Sequence, residues 1–289
     1  MTDDDTRARL KHSLANLESL PAMPSIAQKL LALPLDTEEG EMELLSLIEQ
    51  DPQISAKLIG LANSPIMGVM RKVSTVHDAA MLLGLTRVKS VSIGIATMSD
   101  FSRLPASRNF KPQDLWLHCM ITAVVMRTIA AAMPARIRPP EDQIYLAGLL
   151  HDIGFMALHH LDHELSNELH RQLHLQPERP VLEIELETLG ITHCYIGSQI
   201  ARHWNLPKEI GEVLGYHHPP YVDEMPEQNL LARLVSVAEK LQPDFGISEH
   251  TGDEVHAHEW AELGIELSAV EEIGIQANEL AIQATQIAI

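Results

Sequence analysis

Helix boundaries are written into this chain more plainly than any other feature. Asp51 followed by Pro52 pairs an N-cap acceptor with a first-turn residue that has no amide to leave unsatisfied. Pro112 and Pro140 open two more helices, the second with Glu141 and Asp142 where the helix dipole favours acids. Apolar residues recur at three- and four-residue spacing after these starts, as in Ile54, Leu58, Ile59 and Leu61 before the break at Asn63-Ser64-Pro65. Ser25 to Gln28 and Ser268 to Glu271 read as capping boxes, and Gly84 reads as a C-cap closing a helix from about Thr75. Further helices are expected over Thr86–Thr97, Pro112–Met133, Asp162–Leu175, Pro180–Leu189, Thr192–Trp204, Pro207–Tyr216 and Gln228–Leu241. The helix begun at Pro140 is expected to run on through Leu149-Leu150-His151-Asp152. Apolar residues make up 45% of the chain and aromatics only 4%, so the core is Leu, Ile, Val, Ala and Met, a mixture that favours helix over strand. The expected fold class is all-α.

Arg103 to Lys111 has few apolar anchors and contains Pro105, Ser107 and Asn109, which places a lobe boundary there. The expected organisation is a helical amino-terminal lobe (1–108), a helical core (109–245) and an acidic carboxy-terminal extension (246–289). Ile265, Leu267, Val270, Ile273, Ile275 and Leu280 give that extension an apolar face, for packing onto the domain or for a dimer or partner interface; packing is the preferred reading.

Lys and Arg total 21 against 40 Asp and Glu, a formal net charge of −19, and such a surface repels phosphate backbones and anionic membranes. The expected partners are therefore signalling proteins, with no nucleic acid and no membrane. The basic residues Arg71, Lys72, Arg87 and Lys89 are assigned a structural or partner-facing role, and Met67, Met70, Met81 and Met98 are read as core filler or a partner groove. Cys119 and Cys194 form no CxxC pair, Met1 to Lys11 is too charged for a signal peptide, and Ile121 to Met133 is short and carries Arg127. The expectation is a reduced, cytoplasmic protein without an organic cofactor.

Of 16 histidines, 11 lie between His118 and His218. An isolated helical histidine is usually a surface or satisfied core residue, and that reading is applied to His12, His77, His163, His170, His174, His203, His250, His256 and His258. His159 and His160 stand one to two turns beyond Asp152 and have a weak claim on any site. Cys119 and Cys194 each follow one of the remaining histidines, but a neighbour on a helix faces elsewhere, so both are expected to be small buried side chains.

An ordered set of short motifs gives these histidines a context. Leu20-Pro-Ala-Met-Pro24, Ile48-Glu-Gln-Asp51-Pro52, Leu61-Ala-Asn63-Ser64-Pro65, Val73 to Ala79 and Leu83-Gly84 come first. Leu115-Trp116-Leu-His118, Ala147-Gly-Leu-Leu-His151-Asp152-Ile-Gly154, Gly190-Ile-Thr-His193 and Tyr216-His217-His218-Pro219 follow. Over about residues 17 to 242 the chain resembles the HDOD family of bacterial signalling modules. The resemblance implies a helical lobe packed on a core shaped like the HD-type phosphohydrolases. It also implies a metal set of His118, His151, Asp152 and Glu239, with Glu239 standing where those enzymes usually have Asp. Asp114, His193, His217 and His218 are the implied additional ligands, Asp114 being four residues before His118 and so on one helical face with it. Imidazole with carboxylate suits Fe, Mn, Ni or Zn.

Two departures count against hydrolysis. Phe155 stands where many such enzymes carry a phosphate-holding base, and Pro219-Pro220-Tyr221 lacks the Gly-Tyr-Pro segment of cyclic-di-GMP phosphodiesterases. The expected function is a stand-alone signalling or regulatory module acting through protein contacts, with a non-enzymatic role preferred. The alternatives are a metal-dependent phosphohydrolase acting on a nucleotide or cyclic dinucleotide, with His151 and Asp152 at its centre, and a non-hydrolytic sensor of a small phosphorylated ligand.

Overall fold

The structure is a computed structural model of the 289-residue chain, and it describes residues 10, 20–67, 72–101, 105–219, 221, 229–243, 247 and 254–285. Among the described residues every regular element is helical and there is no strand. His12, Met70, Arg71, Pro220 and His250 lie outside that set.

The amino-terminal half is built from α1 (Ser25–Ala32), α2 (Glu38–Glu49), α3 (Pro52–Ala62), a 3-10 turn (Pro65–Met67), α4 (Val76–Leu83) and α5 (Leu85–Phe101). Asp51 caps α3 by accepting from the amides of Gln53 and Ile54 at 2.9 and 3.0 Å, with Pro52 in the first turn. Gly84 ends α4 at φ 85°, a left-handed value that costs an L side chain and not glycine. The capping box expected at Ser25 does not form. Pro24 occupies the N-cap, and the Gln28 amide donates instead to the Met23 carbonyl at 2.9 Å.

The second half contains α6 (Pro112–Ala132), α7 (Glu141–Leu150), α8 (Ile153–Leu161), α9 (His163–Leu175), α10 (Val181–Thr188), α11 (His193–His203), α12 (Lys208–Tyr216) and α13 (Leu230–Leu241). The helix α6 is the axis of this half, packed on by α7 and α13. By length and composition α6 is the one described helix apolar enough to cross a membrane, but most of it is buried in the fold. Its contact with α7 is close: a Cβ on Gly148 would come within 2.5 Å of the Ala123 Cα. The two halves join through α5 against α7, where the Arg87 guanidinium lies 2.8 Å from Glu141 and over the Tyr145 ring. Lys89 reaches the Leu33 carbonyl at 2.6 Å, so these two cations are spent inside the fold.

Two helices complete the chain, α14 (Ala257–Glu262) and α15 (Leu267–Thr285). Ser268 lies inside α15 and not at its cap; the capping box of this region is His256 with Glu259. The α15 helix packs on α6 and on the 3-10 turn, burying Ile273, Ala277, Ala281 and Ala284, while Leu267, Ile275 and Ile282 stay exposed.

Candidate metal centre

One departure from the expected helices creates the site. The helix from Pro140 does not continue through His151-Asp152: α7 stops at Leu150, Asp152 takes φ −99° and ψ 17°, and α8 starts at Ile153. On an unbroken helix adjacent side chains diverge by ~100°. The break turns both toward one point. Asp152 occupies the N-cap of α8 yet makes no capping bond, because its carboxylate is directed into the interior.

Around that carboxylate stand imidazoles from four places in the chain. His151 Nε2 and His118 Nε2 lie 3.2 and 3.3 Å from Asp152 Oδ2, while His217 Nε2 and His193 Nε2 lie 3.4 and 3.5 Å from Oδ1. Glu239 Oε1, from α13, is 3.0 Å from His151 Nε2 and 3.8 Å from His118 Nε2. His118, His151, Asp152 and Glu239 therefore converge, with ligand atoms all within 4.8 Å of one another. His217 and His218 join Asp152 and Glu239 in a second such grouping, and His193, Cys194, His217 and His218 form a third. All are buried, from 0 to 3% exposed.

The tautomers of these rings show what the cluster needs. His151 Nδ1 is 2.8 Å from the Gly148 carbonyl and His217 Nδ1 is 2.8 Å from the Val213 carbonyl. A carbonyl only accepts, so each Nδ1 carries the hydrogen and a neutral ring turns an Nε2 lone pair toward Asp152. His193 is held the same way: its Nδ1 is 2.8 Å from Glu185 Oε1, and its backbone amide donates to both Glu185 oxygens at 3.1 Å. Among the described residues no amide or hydroxyl donates to either Asp152 oxygen. Lone pairs facing a buried carboxylate at 3.2–3.5 Å repel unless positive charge lies between them. A transition ion fits, since nitrogens bound at 2.0–2.1 Å in a tetrahedral shell are about 3.3 Å apart. The His118–His151 and His193–His217 Nε2 pairs are each 3.3 Å apart.

Protons provide the charge when no ion does. Burial alone would lower the His151 pKa, but Asp152 beside it, with Cys119 and Glu239, raises it well above the ordinary histidine value. Burial would raise Asp152, but the facing imidazoles hold it well below the usual carboxylate range. The Cys194 thiol, also pushed up by burial, is drawn down to about 7 by His193 and His217.

The structure does not bring Asp114 into this cluster. Sharing a face with His118 leaves it one turn nearer the start of α6, half-buried and 3.6 Å from Lys111 Nζ. Cys194 is the residue that sequence reasoning set aside. As the second residue of α11, past the Thr192 cap, its Sγ lies 3.4 Å from His193 Nε2 and 3.9 Å from His217 Nδ1. Glu185 and Gln242 were also missed. Gln242 Nε2 bridges His118 Nδ1 at 3.3 Å and Thr122 Oγ1 at 2.7 Å, and a lone acid and amide in helical sequence carry no signal of such contacts. Phe155 is fully buried and stacks on His193 with centroids 4.3 Å apart, so its position faces the core. His159, with only a weak claim on the site, instead holds the Pro105 carbonyl at 2.9 Å, and His170 is buried against Phe110 and Phe155.

A family model for the HDOD domain matches residues 20–220. An uncharacterized protein of Treponema pallidum is 24% identical over 216 residues, 73% of this chain and 40% of that one. A candidate signal transduction protein from Marinobacter aquaeolei VT8 is similar in structure, with a TM-score of 0.75, 27% identity, and coverage of 94% of this chain and 59% of the other. An HDOD domain protein of unknown function from Geobacter sulfurreducens gives a TM-score of 0.74 at 22% identity, over 96% and 98% of the two chains. A candidate phosphohydrolase from Shewanella amazonensis SB2B gives 0.72 at 18%, over 95% and 96%. The chain thus spans 40% of the curated relative and 59% of the first of these structures.

Proposed function

This chain belongs to the HDOD domain family, and from that premise we propose that it is a regulatory module working through protein contacts, with a divalent transition ion as structural core. The observation that carries this reading is burial. His118, His151, Asp152, His193, His217, His218 and Glu239 are each at most 3% exposed, so a nucleotide phosphate does not reach them in this conformation.

His118, His151, Asp152 and Glu239 would hold one ion, with His193, His217 and His218 offering further donors. Fe, Mn, Ni or Zn would supply the missing positive charge, and Lewis acidity toward any phosphate oxygen admitted to the site. The chain's own part is positioning. The Gly148 and Val213 carbonyls set ring tautomers, Glu185 anchors His193, and stacked Phe155 excludes water. The Met-containing groove expected of a protein-binding module has a counterpart between α3, α5 and α6. It encloses about 540 Å³ and is lined by Leu61, Ile95, Met98, Trp116, Leu117 and Met120. Signalling partners are proposed on that basis and on the family.

A metal-dependent phosphohydrolase is the second reading, favoured by one observation: two donor sets share Asp152, as two-ion phosphoesterases require. Phe155, at the position where many such enzymes carry a phosphate-holding base, is buried against His193, which weighs against hydrolysis and against a sensor of phosphorylated ligands.

The deciding experiment is elemental analysis of protein purified without added metal or chelator, beside a His151→Ala/Asp152→Ala variant, followed by assay on bis-p-nitrophenyl phosphate and a nucleotide panel. The regulatory reading expects bound transition metal, lost in the variant, and no turnover. Metal-dependent turnover would replace it with the hydrolase reading, and folded metal-free protein would remove the ion from the core.

A further inference from the structure

We propose that Cys194 is a metal ligand, and that His193, Cys194, His217 and His218 form a nitrogen–sulfur site for a thiophilic divalent ion of the zinc class. This rests on the metal-core reading above and adds to it a thiolate and a second kind of site beside the carboxylate-rich one.

Three independent observations converge on the thiolate. The first is distance. A metal–sulfur bond near 2.3 Å and a metal–nitrogen bond of 2.0–2.1 Å in a tetrahedral shell set sulfur and nitrogen about 3.5 Å apart. Cys194 Sγ lies 3.4 Å from His193 Nε2, and the His193–His217 edge is 3.3 Å. The second is position in the fold: Cys194 is in the first turn of α11, where free amides and the helix dipole favour an anion, and it is fully buried. The third is the surroundings. Three imidazoles crowd the sulfur, with the His218 ring 4.3 Å from His217 and 5.0 Å from His193 between centroids. A cysteine serving only as apolar filler has no need of three ring nitrogens within reach.

The start of α11 explains how two adjacent residues can share one ion. Glu185 pins both the backbone amide and Nδ1 of His193, which rotates the ring so that Nε2 faces the Cys194 sulfur. Thr192 fixes the turn by accepting from the Tyr195 amide at 3.1 Å. Asp152 Oδ1, 3.5 Å from His193 Nε2 and 3.4 Å from His217 Nε2, links this site to the His118–His151 site. The pair is chemically unequal, with two carboxylates on one side and a thiolate on the other. Soft donors select zinc-like ions and hard donors select manganese-like ions.

Metal-stripped protein loaded with Co(II) alone tests this. A thiolate ligand produces a near-ultraviolet sulfur-to-cobalt charge-transfer band that imidazole and carboxylate ligands do not produce. The band is expected in the wild type, is retained in His118→Ala and Cys119→Ser, and is lost in Cys194→Ser. Cobalt uptake by the wild type without the band would overturn the assignment of Cys194 while leaving the metal-core reading in place. A band that survives Cys194→Ser would also overturn it. No uptake at all would bring down both. Absence of the band in the wild type is decisive without any variant, and if Cys194→Ser fails to fold, a band that persists in Cys119→Ser assigns the thiolate to the one cysteine left, Cys194.

Discussion

Glu185 does more for the site than its place on α10 suggests, because one buried carboxylate accepts from two hydrogens of His193: the backbone amide, shared between both oxygens at 3.1 Å, and Nδ1 at 2.8 Å. Glu185→Ala leaves those donors buried without acceptors, which costs roughly 1–3 kcal/mol. Glu185→Gln keeps one carbonyl oxygen and should cost less; denaturant titration of the two variants checks the order. His170 makes a second prediction at this scale. Burial holds its pKa down at about 4, against the pull of the Ser166 carbonyl, so it stays neutral in the fold. The unfolded chain takes up this proton below about pH 6.5, so stability is present above that pH and falls as pH drops toward 4. The contribution lost between pH 7 and pH 5 is about 2 kcal/mol. In His170→Phe, which retains the ring packing on Phe110 and Phe155, that acid-dependent loss should shrink by a comparable amount.

Among elements, the junction of α7 and α8 matters most, because it converts two adjacent residues into convergent ones. Gly154, in the first turn of α8, lets that helix lie against the start of α11: an added Cβ would collide with the His193 carbonyl. Gly154→Ala is therefore expected to cost roughly 1–3 kcal/mol through overpacking and to lower metal content by displacing His193. Asp51→Ala is the contrasting variant. It removes the α3 cap at about 1 kcal/mol and should leave metal content unchanged. Stability and metal stoichiometry measured on both variants separate the two effects. Helix starts were legible in sequence where cap and flanking residue agree, as at Asp51, Thr75 and Thr192. Ser25 and Ser268 misled because the serine–glutamine and serine–glutamate patterns carry no record of where the preceding chain comes from. Pro24 and Leu267 had already committed those turns.

At the scale of the molecule, the site ties distant pieces of the chain together. His118 on α6 meets Glu239 and Gln242, the latter 124 residues away, and Trp204 Nε1 donates to the Pro21 carbonyl across 183 residues at 2.8 Å. An ion bound only by the folded protein stabilises the whole, by about 2.7 kcal/mol when free metal is 100-fold above its Kd. Chelation should therefore lower the thermal midpoint of wild-type protein and shift a His118→Ala/Cys194→Ser variant, which lacks a ligand of each site, much less, as differential scanning calorimetry would show. Equal shifts in the two proteins would mean that the chelator acts elsewhere.

By itself the sequence determined the fold class, most helix boundaries and the group His118, His151, Asp152 and Glu239 as candidates, through local codes and a family resemblance spread across the chain. Caps, prolines and apolar spacing act within a few residues, so they can be read without a structure. Only the tertiary structure decided that Asp114 stays one turn outside the cluster, that Cys194 and Glu185 stand within it, and that His151 and Asp152 lie at a helix break. Those outcomes depend on how α6, α8, α10, α11 and α13 pack against one another. A rotation of a few tens of degrees about any of these axes would exchange one candidate ligand for its neighbour, and no local pattern records that angle.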